Sequence, residues 1–237
     1  MSEHIKCPNY KKCGGCQLQN LPYERQLSFK QVKVIKLLGR YHRINEIIGM
    51  KEPYHYRNKV QAAFSERKGE IISGVYQSST HNIIPVDNCL IEDEKADRII
   101  VTVRKLLKSF KLKPFNDNTM KGFLRHVLIK RGFVSGQIMV VLVTSVMDFP
   151  KESQFVNAIL ERHPEITTVV QNVNNKRTSL VLGEESRVLF GNGYIEEELL
   201  GFNEKNISAN GKYSLHNYDE SMYEGVYYAE IICIFEY

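Results

Sequence analysis

The chain has 237 residues, enough for one large domain or two small ones. No stretch approaches the roughly 20 apolar residues of a membrane span, and the first residues lack the apolar region of a secretion signal. Residues 1–60 hold 12 Lys/Arg against 4 Asp/Glu, whereas residues 184–237 hold 3 against 11. We therefore expect a cytoplasmic protein without membrane contact. Its basic front half is either an ordinary solvated surface or a surface for a polyanion such as nucleic acid.

Periodicity in the first half predicts a loop, a helix, a hairpin and a second helix. Apolar residues recur at helical spacing and then alternate with polar ones on either side of a Lys68-Gly69 turn. The predicted elements are a loop over residues 1–20, a helix over 23–41, a β-hairpin over 57–76, a short strand at 83–84 and a helix over 91–110.

The second half predicts strands in adjacent pairs with one helix between them. The pairs are 124–130 with 137–144 and 167–172 with 178–182; the helix covers 151–162, and a further strand covers 188–194. Because paired strands favour antiparallel ladders, the predicted fold class is α+β with an antiparallel sheet. No Gly-rich strand-to-helix turn occurs, since Gly191-Asn192-Gly193 lacks a third glycine and a following helix, and no dinucleotide fingerprint is predicted.

Four cysteines form the most informative pattern in the sequence. Cys7, Cys13 and Cys16 lie within ten residues around Gly14-Gly15, and Cys89 lies far downstream. Cytoplasmic thiols stay reduced, so clustered cysteines there more often hold metal than form disulfides. Four thiolates suit a [4Fe-4S] cluster, which is the favoured prediction, and also structural zinc. Free cysteines without a shared ligand are the remaining alternative. Cys233, in an apolar run near the end, is predicted to be a small hydrophobic residue.

Several motifs resemble the RNA uracil-5-methyltransferases, in particular the iron–sulfur branch that modifies 23S rRNA. They are the cysteine pattern followed by Gln17-Leu18-Gln19, then Tyr56-Arg57-Asn58-Lys59-Val60-Gln61, Gly74-Val75-Tyr76 with Ser79-Thr80-His81, Gly122-Phe123-Leu124-Arg125-His126, Val170-Gln171-Asn172-Val173-Asn174 and Leu182-Gly183. The likeness covers about residues 5–210. It implies methyl transfer from S-adenosylmethionine to C5 of a uridine. It also implies a [4Fe-4S] cluster on the four cysteines, RNA (23S rRNA) as partner, and a Rossmann-like domain with a catalytic cysteine.

The sequence departs from this family pattern after residue 206. Ile207-Ser208-Ala209-Asn210-Gly211-Lys212-Tyr213-Ser214 stands where the family has an "ISPxSFxQxN" stretch, and no "CGxG" loop or late catalytic cysteine follows. The expected organisation is therefore an iron–sulfur loop and helix (1–50), a central antiparallel β domain that supplies Cys89 (51–202), and an acidic tail as a catalytic-domain remnant (203–237). We expect the Rossmann-like methyltransferase domain to be absent. No catalytic or S-adenosylmethionine-binding residue is predicted, and the chain alone is expected to be inactive, with a separate catalytic chain as a candidate partner.

Basic residues at strand starts and turns are the candidate RNA contacts. Tyr54, His55, Tyr56 and Phe133 are candidates for stacking on unpaired bases. Ion pairs or solvated turns within the protein are the alternative reading of the basic residues. The predicted RNA-binding set is Arg57, Lys59, Arg125, His126, Lys130 and Arg131. An iron–sulfur RNA-binding module and a structural zinc protein are the alternatives to an enzyme.

Overall fold

The computed structural model describes residues 5–78, 80–199, 202–208 and 214–215, with side chains described up to residue 197. Its helices are α1 (Tyr10–Cys13), α2 (Tyr23–Leu38), α3 (Glu94–Ser109) and α4 (Glu152–Leu160). Its strands are β1 (Lys59–Arg67), β2 (Glu70–Tyr76), β3 (Ile83–Pro85), β4 (Leu124–Arg131), β5 (Ile138–Thr144), β6 (Ile166–Val173), β7 (Glu185–Phe190), β8 (Tyr194–Leu199), β9 (Phe202–Ser208) and β10 (Ser214–Leu215). Within this part of the chain, no helix has the length and apolar character needed to cross a bilayer.

Seven strands form one sheet in the order β3-β2-β1-β4-β5-β6-β7, and its main core lies beneath α3 and α4. Asp93 caps the N-terminus of α3, because its carboxylate accepts hydrogen bonds from the backbone N–H groups of Lys95 and Ala96. Apolar residues at helical spacing then bury one side of α3 against the sheet. The predicted helices at 23–41, 91–110 and 151–162 and the hairpin at 57–76 are confirmed.

The opposite face of the sheet carries a smaller apolar cluster. Leu128, Met139, Val141, Val143 and Val170 are buried there, and a single residue of β8, the fully buried Ile195, joins them. Strands β8, β9 and β10 form a second, three-stranded sheet. The predicted tail at 203–237 lies largely outside the described residues.

The prediction of an antiparallel sheet is wrong, because β5 and β6 run parallel. Val140 pairs with Val169 and Val141 with Val170 in this parallel register. After β5 the chain returns through α4, so it enters β6 in the same direction as β5. Parallel strands joined by a helix form the β-α-β unit from which Rossmann-like sheets are assembled, and the sheet is therefore mixed.

The predicted strand at 178–182 is also wrong, and β7 pairs with β6 in its place. Two buried asparagines explain why the intervening segment is irregular. The Asn174 amide donates to the carbonyl groups of Leu180 and Val181, and the Asn172 amide donates to that of Gly183. These carbonyls are thus bound by side chains instead of by a neighbouring strand.

One carboxylate links the two sheets at the turn between β4 and β5. Glu197 on β8 accepts hydrogen bonds from the backbone N–H groups of Phe133, Val134 and Ser135. Successive N–H groups that converge in this way form a site for a negative charge. The side chains of Phe133 and Val134 remain 57% and 67% exposed at the tip of the turn.

Candidate cysteine centre and nucleic-acid interface

The first three candidate ligands lie in and around α1. The N–H group of Cys13 donates to the carbonyl of Asn9, and Gly14 ends the helix with a φ of +72°. A Cβ atom at Gly14 would lie 2.8 Å from the Cβ of Ser78. Glycine at this position therefore provides the left-handed turn and also lets the cysteine loop pack against the turn between β2 and β3.

Cys89 is held from the side of α3. Its backbone N–H group donates to the Asp97 carboxylate at 2.7 Å, and its thiol receives hydrogen bonds from the backbone of Ile91 and Glu92. Burial, followed by the nearby Glu92 carboxyl, raises the pKa of the Cys89 thiol to about 12. Hydrogen-bond donors around a cysteine sulfur are a common feature of iron–sulfur sites.

Cys16 interacts electrostatically with Cys13 and Cys7 of the same loop. Burial raises the pKa of the Cys16 thiol; Arg57 opposes this shift, while Cys13, Cys7 and Glu92 add to it. Glu92 also hydrogen-bonds the Cys89 side chain, so one carboxyl group neighbours cysteines from both parts of the sequence. All four thiols are free and half-buried. No group of three or more Cys, His, Asp or Glu residues that could hold a metal ion occurs among the residues described.

Two acidic residues beside Cys89 were missed by sequence reasoning. Burial raises the pKa of Glu92 to about 7, with a further contribution from Asp97, and burial also raises the pKa of Asp97. Two carboxyl groups within eight residues of a candidate ligand were the available signal. They hold the backbone and thiol of Cys89, so their position is part of the site's architecture.

A cavity of about 440 Å³ opens beside the cysteine loop, between that loop, α2 and the segment before β1. Its wall contains no Asp or Glu residue but does contain two cations, Lys30 and Arg57. The remaining polar and aromatic lining residues are Gln17, Gln19, Gln26, Tyr23, Tyr54 and Tyr56. The cavity therefore combines positive charge, amide groups and aromatic rings, which are the groups that bind unpaired nucleotides.

Two predicted RNA contacts, Arg125 and Arg131, are occupied by partners within the protein. Arg125 is 4% exposed; its guanidinium donates to the carbonyl of Lys176, pairs with Asp117 at 2.9 Å, and lies over the Phe115 ring. Arg131 pairs with Asp93, the residue that caps α3, at 2.6 Å. Their roles in RNA binding stay predictions, while their contacts within the fold are evident.

His126, Lys59 and Lys130 lie on the sheet face opposite α3. His126 is 6% exposed, and among the described residues neither ring nitrogen finds a hydrogen-bond partner. Burial, reinforced by Arg125, lowers its pKa to about 4. Lys130 pairs in register with the half-buried Lys59, and burial together with that lysine lowers the pKa of Lys130 to about 8. Of the predicted RNA-binding set, only Arg57 lines the cavity.

Comparisons with known proteins place the chain beside RNA methyltransferases. It is 43% identical over 198 residues to an uncharacterized RNA methyltransferase of Clostridium acetobutylicum, covering 81% of this chain and 43% of the relative. It is 40% identical over 200 residues to one of Clostridium tetani, covering 83% of this chain and 44% of the relative. An Enterococcus faecalis relative is 35% identical over 228 residues, which is 94% of this chain and 50% of that protein. The chain thus spans about half the length of these curated relatives or slightly less. No family model matches the chain.

The fold resembles that of a solved methyltransferase. The crystal structure of Pyrococcus abyssi tRNA (uracil-54, C5)-methyltransferase in complex with S-adenosyl-L-homocysteine matches with a TM-score of 0.65 and 24% identity, over 81% of this chain and 44% of that chain. The expectation of an antiparallel fold lacking Rossmann-like methyltransferase structure is therefore wrong. The mixed sheet with its parallel β5-α4-β6 unit matches part of a methyltransferase fold.

Proposed function

We propose that this chain is part of an S-adenosylmethionine-dependent RNA methyltransferase that modifies C5 of uridine. The observation that carries the proposal is the 43% identity over 198 residues to a protein named as an RNA methyltransferase. The fold match to a methyltransferase whose title names uracil C5 and S-adenosyl-L-homocysteine supports the narrower reaction and its methyl donor. The motif resemblance favours 23S rRNA as the substrate, whereas the solved structure's title names a tRNA.

The described region is proposed to handle RNA and to hold a [4Fe-4S] cluster. Cys7, Cys13, Cys16 and Cys89 would be its ligands; all four thiols are free and half-buried, and thiolate is the donor that such a cluster needs, although these residues form no metal-holding group in the described structure. The backbone donors to the Cys89 sulfur also fit a thiolate that shares its charge with iron. The cluster would join the N-terminal loop to the segment before α3. Its proposed contribution is structural, with methyl transfer assigned to no residue of this chain.

A proposed domain organisation follows from these assignments. Residues 1–50 would form the cluster loop and its helix, and residues 51–202 the central domain that supplies Cys89. Helix α2 buries none of its own residues, and Phe29, Val32 and Leu37 are 52%, 64% and 61% exposed. The basic residues Lys30, Lys33 and Lys36 lie along the same helix, which supports a role for this part of the chain in binding the phosphate backbone.

Anaerobic purification tests the cluster assignment. We expect a brown protein with broad visible absorbance and about four iron and four sulfide per chain. Cys89→Ser should lose the colour, whereas Cys233→Ser, at a cysteine outside the described residues with no assigned ligand role, should retain it. A colourless protein with one zinc would refute the iron–sulfur assignment.

Methyl transfer is tested on RNA directly. Radiolabelled S-adenosylmethionine is incubated with unmodified 23S rRNA or tRNA transcripts and the chain, alone or together with the remaining part of a curated relative, and the modified base is identified by mass spectrometry. Because methyl transfer is assigned to no residue of this chain, we expect label only in the combined reaction. Label in 5-methyluridine supports the proposed reaction, and the preferred transcript identifies the RNA class. Label in another base would refute the uridine C5 assignment.

A further inference from the structure

The cavity beside the cysteine loop has a composition suited to recognition. Arg57 forms no salt bridge with any described residue, although its charge acts on both Cys16 and Glu92. Tyr56 is 39% exposed at the cavity wall. A volume of about 440 Å³ lies within the range of small-ligand sites, roughly 300–1,000 Å³.

The residues that line the cavity match the chemical groups of a nucleotide. A nucleotide offers a planar base for the tyrosine rings, hydrogen-bonding edges for the glutamine amides, and a phosphate for Lys30 and Arg57. Gln26 already donates to the carbonyl of Leu21 at 2.9 Å, which leaves Gln17 and Gln19 as the amides available for a base edge. An acidic ligand group other than phosphate would match the cations but would leave the aromatic rings without a partner.

The wall is not equipped for methyl transfer to C5. That reaction needs a nucleophile to add to the base, and Cys16 is the only thiol in the wall. Cys16 is assigned to the cluster, so its sulfur is committed to iron in the proposed function. A nucleotide held here is consequently bound and not modified.

We propose that this cavity binds one unpaired nucleotide of the RNA substrate, separate from the uridine that is methylated. The inference rests on the proposed function and adds to it a second recognition site. Its base stacks on Tyr54 or Tyr56, and its phosphate is bound by Lys30 and Arg57. Such a site holds the RNA by a nucleotide that has left its helix, so single-stranded or looped RNA is preferred over duplex.

Fluorescence anisotropy with the full chain, purified anaerobically, tests the inference. The probe is a fluorescein-labelled, uridine-rich single-stranded oligoribonucleotide, and the same strand annealed to its complement is the duplex control. The variant Tyr56→Leu is compared with Tyr41→Leu, which removes a tyrosine that is 69% exposed outside the cavity. Visible absorbance and circular dichroism establish that each variant retains its cofactor and fold.

We expect Tyr56→Leu to weaken binding of the single strand roughly tenfold, which is about 1.4 kcal/mol, because one stacked base is lost. Tyr41→Leu should leave the affinity within about twofold of wild type. The same contrast is expected between Lys30→Gln, in the wall, and Lys105→Gln, at an exposed lysine of α3 outside the cavity.

Two results would count against the inference in different ways. Equal affinities for wild type, Tyr56→Leu and Lys30→Gln would overturn the cavity assignment while RNA binding, and with it the proposed function, stands. Wild-type protein that binds neither single-stranded nor duplex RNA would overturn the proposed function itself and this inference with it.

Discussion

The buried imidazole of His126 makes the stability of the fold depend on pH. Burial, aided by Arg125 and opposed by Asp117, lowers its pKa from an ordinary 6.5 to about 4. The remaining described aromatic neighbour is Tyr76, whose ring centre lies 6.1 Å away. Between these two pKa values the unfolded chain binds a proton that the folded chain does not, so stability falls as the pH falls through this range.

The magnitude follows from the size of the shift. A fall in the pKa of about 2.5 corresponds to a loss of folding stability of about 3.4 kcal/mol once the pH is below both pKa values. Well above pH 6.5 His126 causes no loss of stability. Between pH 7.5 and pH 5.0 the expected loss is about 2 kcal/mol, because the shift is then only partly expressed. Replacing His126 with Leu removes the titration and also the two ring nitrogens that have no described hydrogen-bond partner.

Urea unfolding at the two pH values measures the effect. The wild-type chain and His126→Leu are compared by circular dichroism, and the difference in their unfolding free energies is taken at each pH, so that other titrating groups cancel. We expect that difference to shift by about 2 kcal/mol in favour of the variant on going from pH 7.5 to 5.0. An unchanged difference would show that the imidazole is protonated normally and reaches solvent.

Three further substitutions probe contacts on which the site depends, and each is measured by urea or thermal unfolding. Arg125→Met should cost roughly 3 kcal/mol, because two carbonyl groups and Asp117 lose their buried donor; a cost near zero would contradict the contacts described. Phe155→Ala should cost about 3–5 kcal/mol, since the ring is 1% exposed in the core, and a smaller loss would mean that the core refills the space. Asp93→Ala should cost about 2 kcal/mol by removing both the α3 cap and the partner of Arg131, whereas Asp93→Asn should retain the cap and lose less.

Long buried elements were the part of the fold that the sequence could predict. Helix α3 has a strong apolar period, and β4 and β5 are continuous apolar runs around a short turn, so local pattern and final burial agree. The direction of β6 was not accessible in the same way. Side-chain alternation does not distinguish parallel from antiparallel neighbours; the available signal was the predicted helix at 151–162 between strands at 137–144 and 167–172, which is the order of a β-α-β unit.

The edge strand shows a second limit. Residues 178–182 have the composition of a strand, yet β7 forms at Glu185–Phe190, where alternate side chains are exposed. The asparagine side chains that bind the intervening loop act over several residues in three dimensions and have no periodic signal. The pattern therefore predicted a strand at 178–182 that does not form, and the strand that pairs with β6 begins at Glu185.

The sequence supplied the candidate thiols, whose role as ligands stays a prediction, but it did not supply their surroundings. Cysteine spacing singled out Cys7, Cys13, Cys16 and Cys89. The sequence around a basic residue, in contrast, does not show which group its side chain will contact. Arg125 was therefore selected with Arg57, although the fold buries the first in protein contacts and leaves the second at a cavity.

The carboxylate of Glu197 ties the conformation of the β4–β5 turn to the position of β8. Three backbone N–H groups of the turn depend on one side chain that projects from β8. Any displacement of β8 is consequently transmitted to the two exposed apolar side chains at the tip, Phe133 and Val134. Neutralising Glu197 would release the tip of the turn from β8, while Ile195 would still pack β8 against the first sheet.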